Sequence, residues 1–425
     1  MPSSRTIPTL VGVAMLLLAA LACNLPAGSL PTAPPTAEPT QPPPATPTQP
    51  SPPEATLPPE ATVPPPAGEP VEPVGFAYSS ETDTRVKIRW FANGQDLVVE
   101  QASPVYPNHN NVLIAGSMPR FDPGLRPPVI FYHPEAQTLR AVYYDGAVVE
   151  LPTDSMFYVM VGAPGDSAFA YTSIGQEGDS PVSTLHFSLL ENMPNLEVWL
   201  QTSDTDWFVI HPLAVQGEGA SPWKVWFTRH AYGIGGDIVF APMRGLFSID
   251  QATKSVVQVL GDDRLLTGLS DDTTWAASIP LDFSEAGSYS LQLRELASGR
   301  VVEIPIGANA NRGAGNVVFS PGNALVAWME GNGYRMAEVP DFTSRVRVAR
   351  IDGSPLLDVP DADFAAALGL GRLAEVRPRA WMTQNLLLVE VRSEDWADVR
   401  LATLDANDGS IRQVASGAFL GLVYP

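Results

Sequence analysis

Between residues 86 and 414 one motif returns seven times: two runs of alternating apolar and polar residues joined by a short turn. The copies are VKIRWFANGQDLVV at 86–99, LRAVYYDGAVVEL at 139–151, EVWLQTSDTDWFVI at 197–210, LFSIDQATKSVVQVL at 246–260, LQLRELASGRVVEI at 291–304, VRVARIDGSPLLDV at 346–359 and VRLATLDANDGSIRQV at 399–414. Alternation gives each run two unlike faces, as a strand requires. Asn93-Gly94, Asp145-Gly146, Ser298-Gly299, Asp352-Gly353 and Asp408-Gly409 supply turn residues that reach positive φ at little cost, and the third copy turns near Asp204. The copies begin 45 to 58 residues apart, which leaves room in each repeat for two further strands. NVVFSPGNALVAW at 316–328 and AWMTQNLLLVEV at 380–391 fill that room, and shorter candidates lie at 129–131, 169–172, 237–240 and 274–278.

Four strands per unit at a period near 50 is the spacing of propeller blades. A four-stranded sheet cannot bury both faces alone, and stacking such sheets around an axis covers them while leaving only short edges. The expected fold is therefore an all-β propeller over residues 74–425, with seven four-stranded blades; six or eight fit the spacing too. The rival is a pair of β-sandwiches, which also use many short strands; the uniform hairpin repeat speaks against it. Phe319-Ser320-Pro321 followed by Leu325-Val326-Ala327 resembles the F-S-P-D-G…L-A blade motif of WD40-like and TolB-like propellers in bacterial envelope proteins, with Gly322-Asn323 in place of Asp-Gly. Ser270-Asp271-Asp272 before Trp275-Ala276 is a looser echo. A closing contact is expected between GLVY at 421–424 and VGFAY at 74–78, and one short helix within 361–373 with Asp361 as its cap.

The N-terminus has a different logic. Arg5 precedes an apolar run, VGVAMLLLAALA at 11–22, and Cys23, the only cysteine, follows it. The run is too short to span a bilayer comfortably as a helix and has the regions of an export signal. Leu21-Ala22-Cys23 resembles a bacterial lipobox, with Ala20 where Leu is usual, and the resemblance implies that Cys23 carries lipid and begins the mature chain. Residues 1–22 are then a signal peptide. Residues 23–73 form a lipidated cysteine and spacer, in which 26–73 hold 19 of the 43 prolines, five glutamates and no Lys, Arg or aromatic residue. Proline lacks a donor and fixes φ, so this Pro/Thr-rich stretch is expected to be a disordered, stiffened linker, spanning about 150 Å at full extension.

The chain after Cys23 has 46 acids against 24 Lys and Arg, a formal charge of −22. That excludes a nucleic-acid backbone as partner and leaves the lipid as the contact with the membrane. No cofactor or metal site is expected. The five histidines (His109, His133, His186, His211 and His230) form no closely spaced pair in sequence. Asp405, Asn407 and Asp408 make a good turn but not the oxygen set of a calcium loop. Asp262-Asp263 and Asp271-Asp272 read as solvated loop acids, Gly233-Ile234-Gly235-Gly236 as a loop, and Trp207, Trp223 and Trp226 as either core or an aromatic platform. No nucleophile elbow, P-loop or dinucleotide fingerprint is present. The reading is a lipid-anchored extracytoplasmic module that binds a protein, peptide or glycan, without catalysis. The alternatives are a surface glycoside-cleaving enzyme or lyase, marked by two carboxylates about 5–10 Å apart at the mouth, and a structural envelope component.

Overall fold

The computed structural model describes residues 73–79, 86–98, 129–133, 138–142, 148–152, 157–162, 168–177, 180–189, 197–203, 207–217, 222–231, 243–280, 290–306, 313–332 and 342–423. Cys23 and the spacer up to residue 72 lie outside them, as do the turns at 145–146 and 204 and the candidate strand at 237–240.

The chain is built from strands in order. Gly75–Ser79 (β1), Val86–Trp90 (β2) and Asp96–Val98 (β3) come first, then Val129–His133 (β4), Thr138–Val142 (β5) and Val148–Pro152 (β6). Phe157–Gly162 (β7), Ala168–Glu177 (β8), Ser180–Leu189 (β9) and Glu197–Ser203 (β10) follow. Phe208–Gln216 (β11), Lys224–Ala231 (β12), Met243–Asp250 (β13), Val256–Leu269 (β14), Trp275–Pro280 (β15), Ser290–Glu295 (β16) and Val301–Pro305 (β17) form the middle. Gly313–Phe319 (β18), Leu325–Gly331 (β19), Ser344–Arg350 (β20), Pro355–Pro360 (β21), the helix Asp361–Leu368 (α1), Leu373–Trp381 (β22), Leu386–Ser393 (β23), Val399–Asp405 (β24), Ile411–Ser416 (β25) and Ala418–Val423 (β26) complete it.

These strands make several antiparallel sheets: β26-β1-β2-β3, β4-β5-β6, β10-β9-β8-β7, a seven-stranded sheet from β11 to β17, β18-β19-β20-β21 and β22-β23-β24-β25. The seven-stranded sheet is two repeats that share β14. The first part of β14 pairs Val256, Val257 and Leu260 with β13, and the second pairs Arg264 to Leu269 with β15. Six of the seven expected hairpins are paired as read from sequence: β2–β3, β5–β6, β13–β14, β16–β17, β20–β21 and β24–β25. The third is not. β10 pairs with β9, while β11 opens the next sheet against β12. Turn residues near Asp204 mark a change of direction, but alternation carries no record of which neighbour a strand bonds.

The hairpin turns show why glycine stands in them. Gly299 and Gly409 have φ of 73° and 74°, and their N–H groups close the turns onto Glu295 O and Asp405 O at 2.8 Å. In β13–β14 the same position holds Lys254 at φ 52°, where Nζ pairs with Glu197 at 2.7 Å and lies 4.1 Å from the centre of the Trp199 ring.

From β7 onward, apolar clusters lie between successive sheets. Phe187, Trp199, Ile210 and Val225 join β7–β10 to β11–β14. Trp226, Leu246, Leu266 and Ala276 join the two repeats that share β14. Trp275, Leu293, Val326 and Trp328 carry the contact to β18–β21, and Val346, Val348, Val389 and Val391 carry it to β22–β25. Leu388 and Leu401 then meet Phe76, Tyr78 and Leu422 of the sheet that holds the first and last described strands. That last sheet is the expected closing contact: Gly75 pairs Val423, Phe76 pairs Leu422 and Ala77 pairs Gly421. α1 fills the corner beside β21 and β22 with Phe364 and Leu368. Its N-cap is Pro360, not Asp361, and Gly369 ends it in the left-handed region. Asp361 is the first helical residue, one place too late to cap, and its carboxylate instead accepts a hydrogen bond from Ser344 N at 2.9 Å.

Candidate functional site

Four pairs of first strands run side by side: β7 with β11, β14 with β18, β18 with β22 and β22 with β26. They form two stretches of inner wall. Their spacing is close enough that a Cβ on Gly268 of β14 would strike the Val317 carbonyl oxygen of β18. The wall is pinned by side chains from the preceding sheet. Ile210 N donates to Ser183 Oγ and Val376 N to Ser344 Oγ, both at 3.1 Å, and Phe419 N donates to Glu390 Oε2 at 2.9 Å.

The most charged part of this wall is on β22 and β23. The segment Glu375-Val376-Arg377-Pro378-Arg379 alternates, so Val376 enters the apolar cluster while Glu375 and Arg377 take the other face. Register places Glu375 opposite Arg392 and Arg377 opposite Glu390. Glu390 Oε1 accepts from Arg379 Nη2 at 2.7 Å and from Arg392 Nε and Nη2 at 3.0 and 2.9 Å. Glu375 Oε2 accepts from Arg377 Nη2 at 2.7 Å, and Arg392 Nε stands 3.3 Å from its Oε1. Burial raises the Glu390 carboxyl, but Arg379 and then Arg392 outweigh it and hold it down at about 2. Burial pushes the Arg379 guanidinium below its ordinary value, opposed by Glu390. The two carboxylates converge on one guanidinium, but as buried counter-ions already paired with arginine. What the cluster turns outward is arginine.

A second group sits on β11 and β12. The rings of His211 and His230 are 5.3 Å apart. Burial, and after it His230, holds His211 down at about 3, and burial holds His230 at about 4, so both are neutral imidazoles near pH 7. His186 on β9 is stacked on Tyr171 at 4.5 Å, with its Nε2 2.8 Å from Ser173 Oγ. His109 lies outside the described residues, and nothing is described of the His133 side chain.

The remaining candidates serve turns and packing. Asp262 pairs with Arg229 at 3.2 Å. Asp272 accepts from Ser270 Oγ, Thr274 Oγ1 and Asn323 Nδ2 at 2.6, 2.8 and 2.6 Å, tying two repeats together at their first turns. Asp405 and Asp408 accept from Asn407 N and Ser410 N within their hairpin. Trp223 and Trp226 are buried, Trp223 beside Phe187, and only Trp207 is exposed, so the three form no platform. Gly233-Ile234-Gly235-Gly236 lies outside the described residues. Among the described residues no group of three or more His, Cys, Asp or Glu could hold a metal ion, and no helix is long and apolar enough to cross a membrane.

The architecture defines a class: an all-β domain of several antiparallel sheets, propeller-like in the way they follow one another. No family model matches the chain, and no curated protein matches it. Among solved structures it is similar to an oligogalacturonate lyase in complex with manganese, at 10% identity over 82% of this chain and 86% of that one, with a TM-score of 0.48. It is similar to the GH74 enzyme of Niastella koreensis at 11% identity, over 81% of this chain and 54% of that one (TM-score 0.47), and to TolB from Acinetobacter baumannii at 15% identity, over 68% and 64% (TM-score 0.40). The sequence expectation of a chain without catalysis is corrected here. Enzymes, a lyase among them, stand among the structures of similar layout, so this arrangement of sheets gives no ground for denying it chemistry.

Proposed function

We propose that this chain is a lipid-anchored, extracytoplasmic propeller of seven four-stranded blades that binds a protein, peptide or glycan at the mouth of its ring. The observation that carries this reading is the pairing of β26 with β1, which joins the last repeat to the first. Sharing one sheet between the first and last strands of the domain is what a closed ring needs and an open stack of sheets does not. Counting β14 once for each repeat it serves, and β4–β6 as three strands of a fourth, supports seven units. The lipobox-like Cys23 and the proline-rich spacer supply the tether. Labelling cells that express the full chain with an alkyne fatty acid tests the anchor: label is expected on the wild type and absent from Cys23→Ala. Arrays of glycans and peptides probed with the full chain test the binding role, and a chain that retains nothing from either would end it.

A second reading, a surface lyase or glycoside-cleaving enzyme at the same mouth, draws on His211 and His230. Their rings stand 5.3 Å apart with His211 on a first strand, and an acidic sugar bound beside them would offset the burial that makes both weak bases. Release of unsaturated or reducing ends from a panel of polysaccharides, lost in His211→Gln, is the result this reading expects.

A further inference from the structure

The end of the sheet at which β11 begins holds a tryptophan that packing does not explain. Trp207, the residue before β11, has φ of 62°, in the left-handed region that disfavours a large side chain. It is 45% exposed, so burial offsets little of that strain. Trp199, Trp223 and Trp226, by contrast, are buried. The other tryptophan at positive φ, Trp396 at 61°, has the Arg392 guanidinium 5.4 Å from its ring centre. Strain that the fold does not use gathers where a chain meets its ligand.

A cation stands one residue away. The ring of Phe208 is buried and has two guanidiniums over it, that of Arg244 at 4.6 Å and that of Arg229 at 5.3 Å from its centre. The two arginines are cross-strand neighbours on β13 and β12. Arg229 is ion-paired with Asp262 at 3.2 Å. Arg244 is partly exposed, and among the described residues no carboxylate lies within ion-pair distance of it. A guanidinium laid on a ring keeps its N–H edge for an acceptor, and that edge matches a planar carboxylate.

An exposed indole beside such an edge suits a sugar acid. A pyranose offers a flat C–H face to an aromatic ring, and a uronate fixes its carboxylate rigidly on that same sugar ring. A glutamate side chain has the acid group but only a flexible stem and no face. The formal charge of −22 repels a polyanion, which leaves a single acid group at a glycan end. We propose that Trp207 and Arg244 bind the terminal uronate of a glycan, with the sugar ring on Trp207 and the carboxylate on Arg244; this rests on the reading of the domain as a binding module.

The test uses the full chain in detergent. The probes are methyl glucuronoside and methyl galacturonoside, against methyl glucoside and acetyl-glutamate amide. At saturating concentration at least one uronoside is expected to slow oxidation of Trp207 and phenylglyoxal modification of Arg244 by about tenfold. Both reactions are mapped by mass spectrometry, and Trp396 and Arg300 are expected to react as before. In calorimetry Trp207→Gly and Arg244→Gln are each expected to weaken that uronoside by a similar factor. Glycine adopts positive φ without strain, so Trp207→Gly is also expected to unfold at the same or a higher urea concentration. A markedly lower midpoint makes Trp207 a packing residue and overturns the site. So does absence of protection by both uronosides, equal protection by methyl glucoside or acetyl-glutamate amide, or unchanged affinity in Arg244→Gln. If Arg244→Gln fails to fold, the wild-type footprint and Trp207→Gly decide. A glycan or peptide retained on the arrays while Trp207 and Arg244 stay open to modification would remove the site and leave the binding role standing.

Discussion

Glu390 shows how one side chain can serve two sheets. Its carboxylate has no exposed surface, yet it accepts from Arg379, Arg392 and the backbone of Phe419. Removing one member of such a set leaves buried charge behind, so Glu390→Gln is expected to cost about 3–5 kcal/mol in urea titrations. The folded carboxyl is held at about 2 against an ordinary 4.5, so its contribution is complete above 4.5 and is lost as pH falls through about 2. His211 and His230 act earlier. Their folded values of about 3 and about 4 lie below 6.5, so the unfolded chain takes up protons first. Stability is expected to decline from about pH 6.5 downward, and the His211→Gln/His230→Gln variant to lose that first limb when urea midpoints are measured across pH. A wild-type midpoint that stays level from pH 7 to 5 would contradict this.

At the scale of elements, a serine before the first turn of two repeats explains why a weak motif could be read at all. Ser320 Oγ accepts from Leu325 N, and Ser270 Oγ accepts from Trp275 N, both at 2.9 Å. Each serine also donates its N–H to the same partner's carbonyl at 2.9 Å. The two segments differ in sequence between these points, but the turn depends on the serine and the five-residue step. Period-two alternation and turn glycines likewise made most hairpins legible. The register of β10 was not, because turn residues lie on both sides of it, Asn192, Pro194 and Asn195 before and Asp204 after, and alternation does not say which neighbour it bonds. The charged cluster was missed for a related reason: Glu375, Arg377, Glu390 and Arg392 read as ordinary solvent-facing positions, and only pairing across β22 and β23 shows that they face each other. Gly268 tests the wall these strands build. Gly268→Ala places a methyl group against Val317 O, and a loss of about 1–3 kcal/mol is expected from thermal or urea unfolding. An unchanged midpoint would mean the first strands can move apart freely.

At the scale of the whole molecule, the pairing of β26 with β1 makes the first and last described strands neighbours. Deleting residues 418–425 would unpair one side of β1 and uncover Phe76, Tyr78 and Leu401. The truncated chain is expected to unfold at lower urea with a smaller m-value, and to bind a hydrophobic dye before unfolding; a full-length midpoint would show that closure adds nothing. β14 has a different bearing on the molecule. Because a single run of backbone belongs to both neighbouring repeats, neither can slip by a residue while the other keeps its place. In hydrogen exchange the amides of β13 and β15 should therefore open together, as one joint unit spanning two repeats, and any gain or loss of sheets over evolutionary time would have to move that pair as a block.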